Sequence, residues 1–341
     1  MPANLTPEYK TAEAAYKRAR EPKERLELLR TMLRALPKHK GTDHLQADIK
    51  TRIKELTEEL TGPKKGGVRR GPPTSFRREG AAQLALVGPP NAGKSSLHAR
   101  LTGSHALTGE YPFTTQFAQP GMMPYEDIAF QLIDLPPISP EHPIPWIANA
   151  LQPADACLLV IDLCEAGCME RAVAVRELLA VRKVVLSAGW PGDASAPRLP
   201  VNHEGDPFTM RLPTLLIVNK IDRVDDPKTE IDIFEDLTDL HYPWLAVSAT
   251  TGDGLDTIGQ WLFTRLGIIR VYTKAPGKAP DIDRPYTIGQ GGTVHDVAEL
   301  VHRDIAESLR FARLWRTGTS VGQHVGGDHT LLDGDVVELH N

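Results

Sequence analysis

The chain has 341 residues, of which 41% are hydrophobic and 24% charged, with a net charge of −5. That length allows two or three domains with a sizeable core, and the composition is ordinary for a soluble globular protein. Three cysteines, Cys157, Cys164 and Cys168, are too few and too odd a number to staple a secreted domain, and they fit a reducing cytosol.

Charge is unevenly spread. Residues 1–80 carry 19 Lys/Arg against 11 Asp/Glu, whereas residues 81–341 carry 20 against 33. A basic front end on an acidic body points to phosphates or acidic protein surfaces, although a solvated helical surface explains the charge equally well. The opening "MPANLTPEYK" has no apolar core for a signal peptide, and "ACLLVI" is too short to span a bilayer. The expectation is a cytoplasmic protein with no membrane contact.

Residues 1–61 read as helical. Tyr9, Ala12, Tyr16 and Ala19 share one face, and Leu26, Leu29, Leu33 and Leu36 form a stripe after Pro22. Beyond "LPKHKGT", Asp43 and Gln46 resemble a capping box ahead of Leu45, Ile49, Ile53, Leu56 and Leu60. Stripes on either side of a short turn predict an antiparallel helical hairpin. Residues 62–80 are a basic Gly/Pro-rich linker.

From residue 81 to 267, the runs "QLALVG", "DIAFQLID", "ACLLVIDL", "TLLIVNK" and "WLAVSA" alternate with helical segments. This is the pattern of an α/β domain with a mainly parallel sheet covered on both faces. Gly189 to Pro213 interrupts it as a polar, Pro/Gly-rich insertion, functional or disordered at that length. Residues 268–341 read as strand–strand–helix–strand–strand, with Thr293 capping a single helix, "VHDVAELVHRDIAESL". Cys164 and Cys168 could share a helix face, but no other Cys or His stands at metal-ligand spacing. His295, His302, His324 and His329 read as solvent-exposed or structural.

Four short motifs carry the chemistry. "GPPNAGKS", Gly88 to Ser95, follows an apolar strand and opens a helix, which is the context of a phosphate-binding loop. Its glycines let backbone N–H groups point at a β-phosphate, Lys94 supplies charge, and the Ser95 hydroxyl suits Mg²⁺. Candidate contacts here are Gly88, Asn91, Ala92, Gly93, Lys94, Ser95 and Ser96.

"NKID" closes the apolar run "TLLIV", and the Asp222 carboxylate can accept two hydrogen bonds from guanine. Adenine would leave it unpaired. Asn219 can tether loops, the Lys220 stem can cover the base, and in "SAT" Ser248 and Ala249 close the pocket, with the Ala249 N–H offered to the guanine O6. "YPFTT" supplies Thr114 and Thr115 for the γ-phosphate and Mg²⁺, with Asp134 holding the metal through water.

Together "GPPNAGKSS", "YPFTT", "DLPP", "NKID" and "SAT" resemble the GTPase motifs of the Obg and developmentally regulated GTP-binding protein (DRG) group. "PKHKGTDHLQADIK" is similar to that group's helical front end, and Arg270 to His340 is similar to its C-terminal TGS domain, a ubiquitin-like β-grasp module. The resemblance implies a P-loop GTPase that binds GTP, GDP and Mg²⁺ and hydrolyses GTP slowly. It further implies an association with ribosomes or RNA through residues 1–80, the TGS domain, or both. A non-hydrolysing, GTP-dependent binding module and an RNA-binding scaffold are the alternatives. Eukaryotic members carry a full extra domain where only the 189–213 segment stands here.

The group's pattern is Asp-x-Pro-Gly after the second strand motif, and Pro137 replaces that glycine. Proline has no N–H to give the γ-phosphate. A charge-assisted bond of that kind is worth about 1.5–3 kcal/mol, so this second switch should discriminate GTP from GDP weakly. Ile138 stands where many small GTPases place a water-orienting glutamine, and it cannot hydrogen-bond. The resemblance supplies K⁺ instead, held partly by Asn91. Lys94, Thr115 and Asn91 are accordingly the candidate catalytic residues.

Overall fold

The computed structural model describes residues 6–19, 21–37, 42–61, 76–104, 117–193, 208–316 and 321–341. Prolines open the first two helices, α1 (Pro7–Arg18) and α2 (Pro22–Ala35), at positions whose N–H would have no partner anyway. The Thr6 hydroxyl caps α1 by accepting from the Tyr9 N–H. The third helix, α3 (Asp43–Thr61), begins at Asp43 itself, and Gln46 N–H bonds the Thr42 carbonyl, so the expected cap is shifted by one residue. Tyr9, Tyr16, Leu29, Met32, Leu36 and Ile49 meet in one buried cluster. The hairpin is α2 with α3; α1 packs on α2 as a third helix, because its Tyr9–Tyr16 face is as apolar as theirs.

The central domain is a seven-stranded sheet. In chain order its elements are β1 (Gln83–Val87), α4 (Lys94–Thr102), β2 (Gln119–Tyr125), β3 (Ile128–Asp134), α5 (Ile147–Leu151), β4 (Ala156–Asp162), α6 (Cys168–Val181), β5 (Val184–Ser187), β6 (Met210–Asn219), α7 (Pro227–Thr238), β7 (Trp244–Ala246) and α8 (Leu255–Arg265). The strand order is β2-β3-β1-β4-β6-β5, with β7 also pairing β6. Only β2 runs antiparallel to its neighbour. β1 and β4 are buried at every position, as expected where helices cover both faces. β2 was not anticipated; it carries Pro120 and Pro124, and at an edge a proline costs no ladder bond. Register aligns Leu86 with Asp134, and Asp162 with Asn219, so these strands end at one rim.

The expected loop at 189–213 is anchored at both ends. Trp190 is buried in the core edge-to-face with Trp261, and residues 210–213 form the start of β6. Phe208 inserts among the N-terminal helices, 6.0 Å from Tyr16 ring to ring, with the Arg52 guanidinium 4.3 Å above it. Two large aromatics in a segment of polar composition cause the difference, since each gains more by burial than its neighbours lose.

The C-terminal domain contains β8 (Ile268–Thr273), β9 (Asp281–Gly289), α9 (Val294–Val301), α10 (Arg303–Ser308), β10 (Phe311–Trp315), β11 (Gln323–Val325) and β12 (Asp335–His340). Its order is β11-β10-β12-β8-β9, a β-grasp sheet with α9 against one face. Thr293 does cap α9, in a reciprocal capping box with Asp296. The single helix expected there is two, because His302 adopts extended backbone between α9 and α10. β11 is an added short strand.

The two domains are bolted together. The Arg270 guanidinium reaches Glu126 and Asp127 on the turn between β2 and β3, and Asp333 within its own domain. Tyr272 donates its hydroxyl proton to Asp127 at 2.5 Å.

Candidate functional site

The rim at the C-terminal ends of β1, β3, β4 and β6 gathers most of the predicted residues. Gly88 leaves β1 with φ +152°, and a Cβ there would collide with the Val160 carbonyl oxygen of the neighbouring strand. Gly93 stands just before α4 in the left-handed region at φ +85°, and a Cβ would collide with the Asn219 amide nitrogen. Only glycine lets the loop curl this tightly. The first intrahelical bond of α4 is Leu97 N–H to the Gly93 carbonyl, so the Lys94, Ser95 and Ser96 N–H groups open toward the loop.

Lys94 is buried, and its ammonium donates to the Gly88 and Pro89 carbonyls at 3.1 and 2.9 Å. Burial pushes its pKa down to about 8, against the opposing pull of Asp134. The Ser95 hydroxyl donates to Asp134 Oδ2 at 2.6 Å. A hydroxyl and a carboxylate side by side at the mouth of a phosphate loop are hard oxygen donors of the kind that suits Mg²⁺. Thr114 and Thr115 lie outside the described residues.

A second cluster faces the loop from β6. Asn219 donates its amide to the Ala92 carbonyl (3.0 Å) and accepts from the Ala249 N–H (3.1 Å). It therefore ties three segments together, and the Ala249 N–H expected for a base here bonds Asn219. Lys220, in left-handed backbone at φ 63°, donates to the Asn91 carbonyl at 2.8 Å and to Asp162 at 2.7 Å. The exposed Asp222 accepts on Oδ1 from the buried Ser248 hydroxyl at 2.6 Å, and Ser248 Oγ in turn accepts from the Thr251 N–H. One carboxylate oxygen is thus oriented by the protein.

Asp162 was missed by sequence reasoning. It is buried at the end of β4, and its other oxygen accepts from the Cys164 N–H. The signal was weak: one acidic residue closing an otherwise apolar strand. Cys164 is exposed and precedes α6, whereas Cys168 is buried as its first residue, so the two do not share a helix face. Burial pushes the Cys168 thiol up to about 11 and leaves it inert.

Leu135 to Ile138 is held to the loop. The Leu135 N–H bonds Leu86 and the Ile138 N–H bonds Gly88 at 3.1 Å, while both side chains are buried in the core. Pro137 has no donor, and the next donor along is bonded to the phosphate loop's own backbone.

These features define a P-loop GTPase domain joined to a β-grasp domain. Residues 83–188 match the 50S ribosome-binding GTPase family, and residues 269–341 match the TGS domain. An uncharacterised GTP-binding protein of Methanocaldococcus jannaschii is 28% identical over 90% of both chains. Developmentally-regulated G-protein 1 of Arabidopsis thaliana is 24% identical over 93% of this chain and 90% of its own. A crystal structure of a GTP binding protein from Pyrococcus horikoshii aligns with 76% of this chain and 99% of its own, at 14% identity and a TM-score of 0.45. The chain thus joins a matched GTPase domain to a matched TGS domain, and it is similar over 93% of its length to proteins named developmentally-regulated G-protein. The named relative is of the DRG branch, from which Obg is distinct.

Proposed function

We propose that this protein hydrolyses GTP slowly to GDP and phosphate, and that it does so in contact with the ribosome. What carries the reading is the juxtaposition of Lys94, Ser95 and Asp134 at one rim with Asp222 and Asn219 across it. The Ser248-oriented Asp222 carboxylate reads the guanine edge, while the Lys220 stem covers the base. Lys94 and the N–H groups of the first turn of α4 hold the β- and γ-phosphates. Ser95 and Thr115, with Asp134 through water, would hold Mg²⁺, which would offset charge on the phosphate oxygens.

Water attacks the γ-phosphorus in line and the bond to the β–γ bridging oxygen breaks, leaving GDP and inorganic phosphate. Ile138, apolar and buried, does not orient that water. Asn91, exposed on the loop, is the residue for K⁺. Pro137 lacks an N–H and the Ile138 N–H is bonded to Gly88, so switching falls mainly to Thr114 and Thr115.

The basic balance of residues 1–80 and the description of the matched GTPase family support ribosomal RNA as the partner of this front end. Among the described residues no helix is long and apolar enough to cross a membrane, and a cytoplasmic location suits this role.

Single-turnover phosphate release by the purified protein, in K⁺ and in Na⁺, tests the chemistry. The expected result is slow release that quickens in K⁺ and loses that response in Asn91→Asp. Tight GTP binding with no release, even with ribosomes present, would make the protein a binding module instead. Co-sedimentation with ribosomal subunits under a GTP analogue, GDP and no nucleotide tests the partner.

A further inference from the structure

Helix α4 buries a histidine among leucines. His98 stands one turn on from Lys94 and is 1% exposed, between the core residues Leu97 and Leu101 in position along the helix. Its ring lies on the backbone of the edge strand β2. A Cβ on Gly121 would come within 2.6 Å of His98 Nε2 and 2.8 Å of the Thr102 methyl. Gly121 pairs with Leu132 of β3, two residues after Gln119 meets Asp134 in register.

The other nitrogen of the ring faces the end of α4. Nδ1 lies 3.4 Å from the Ser104 hydroxyl oxygen. The Thr102 hydroxyl donates to the His98 carbonyl at 2.7 Å and sits 2.8 Å from the same Ser104 oxygen. One imidazole therefore touches the chain on both sides of the stretch whose sequence holds Thr114 and Thr115. On one side is Ser104, just beyond α4, and on the other is Gly121, just inside β2.

Packing alone does not call for an imidazole at this place. Burial holds its pKa below the ordinary histidine value, against the opposing pull of Asp134 and the Leu132 carbonyl, so the ring is neutral at pH 7. Nε2 has no hydrogen bond among the described residues. A buried polar atom without a partner is a cost that leucine would avoid.

We infer that His98 is a positioning residue for the response to GTP: it fixes Gly121 relative to Ser104, and so sets the place from which Thr114 and Thr115 meet the γ-phosphate. The inference rests on the reading of those threonines as the main sensors. Ends held in place leave less conformational freedom for a bound nucleotide to remove. GDP has no γ-phosphate to meet, so the effect falls on GTP and spares GDP.

The test compares affinities of the full chain for a non-hydrolysable GTP analogue and for fluorescent GDP. In His98→Leu, which keeps bulk and removes both nitrogens, analogue affinity should fall about ten-fold while GDP affinity stays within about two-fold. Ser104→Ala, at a half-buried position, should do the same, and the double variant should be no worse than either. His98→Asn places an amide nitrogen near the position of Nδ1 and should keep most of the wild-type ratio.

Equal losses for both nucleotides, or a lower melting temperature with an unchanged ratio, would overturn the inference and leave His98 as a packing residue. Thr115→Ala separates this from a failure of the reading beneath it. If Thr115→Ala lowers the ratio and the His98 and Ser104 variants do not, the inference alone falls. If Thr115→Ala leaves the ratio unchanged, the threonines are not the sensors and both fall.

Discussion

The Lys220 ammonium bridges two elements, 2.7 Å from Asp162 Oδ2 and 2.8 Å from the Asn91 carbonyl oxygen. Asp162 is buried and Lys220 is about a quarter exposed, so solvent screens the pair only in part. Asp162→Ala leaves Lys220 without its fixed anion and frees the phosphate loop from β4. The expected loss is about 1–3 kcal/mol in stability, with weaker GDP binding, read by thermal melts and fluorescent-GDP titration. Asp162→Asn, which keeps an acceptor, should lose less.

Asp222→Asn replaces an acceptor by a donor at the guanine edge. GDP affinity should fall by roughly two orders of magnitude or more. Xanthosine diphosphate, whose C2 oxygen is an acceptor, should bind the variant better than the wild type. Calorimetry with both nucleotides checks the exchange, and equal losses for both would remove Asp222 from the base pocket.

Pro137→Gly restores an N–H beside the γ-phosphate. The ratio of GTP-analogue to GDP affinity should rise about ten- to a hundred-fold. The Ile138 N–H does not supply this bond while it is held by Gly88. An unchanged ratio in titrations of the two proteins would mean that another donor serves.

Lys94 should make nucleotide binding pH-dependent. Its pKa of about 8 in the free protein lies below the ordinary 10.5, chiefly through burial. Phosphate at the loop favours the ammonium, so GDP affinity should fall as pH rises above about 8, with proton uptake on binding. Stability runs the other way. Between about pH 8 and 10.5 the unfolded chain holds the proton and the folded protein releases it, so this group's contribution rises with pH. Lys94→Met should flatten both trends in pH-resolved titrations and melts.

Arg270→Ala removes the guanidinium shared by Glu126, Asp127 and Asp333. Three carboxylates then face one another at the junction of the two domains. Limited proteolysis should cut faster near Gly267, and the TGS domain should melt about 1–3 kcal/mol less stably. Fluorescent-GDP affinity should change little.

The phosphate loop was legible because its requirements are local: glycines where the chain must curl, then lysine and serine opening a helix. "NKID" and the strands with every residue buried were legible for the same reason. β2 was not, since two prolines look alike in a loop and in an edge strand until a neighbour is known. Trp190 and Phe208 were hidden in a stretch whose average composition is polar, because averaging discards the two residues that pack.

By itself, then, the sequence determined where the phosphate-loop and "NKID" motifs stand and where the fully buried strands run, because backbone conformation and hydrophobic period act over a few residues. The tertiary structure alone decided that Asp162 holds Lys220, that the Ile138 N–H is bonded to Gly88, and that Arg270 joins two domains. Each of these is a contact between residues more than forty positions apart, and such pairs are chosen by the pairing of strands rather than by any local preference.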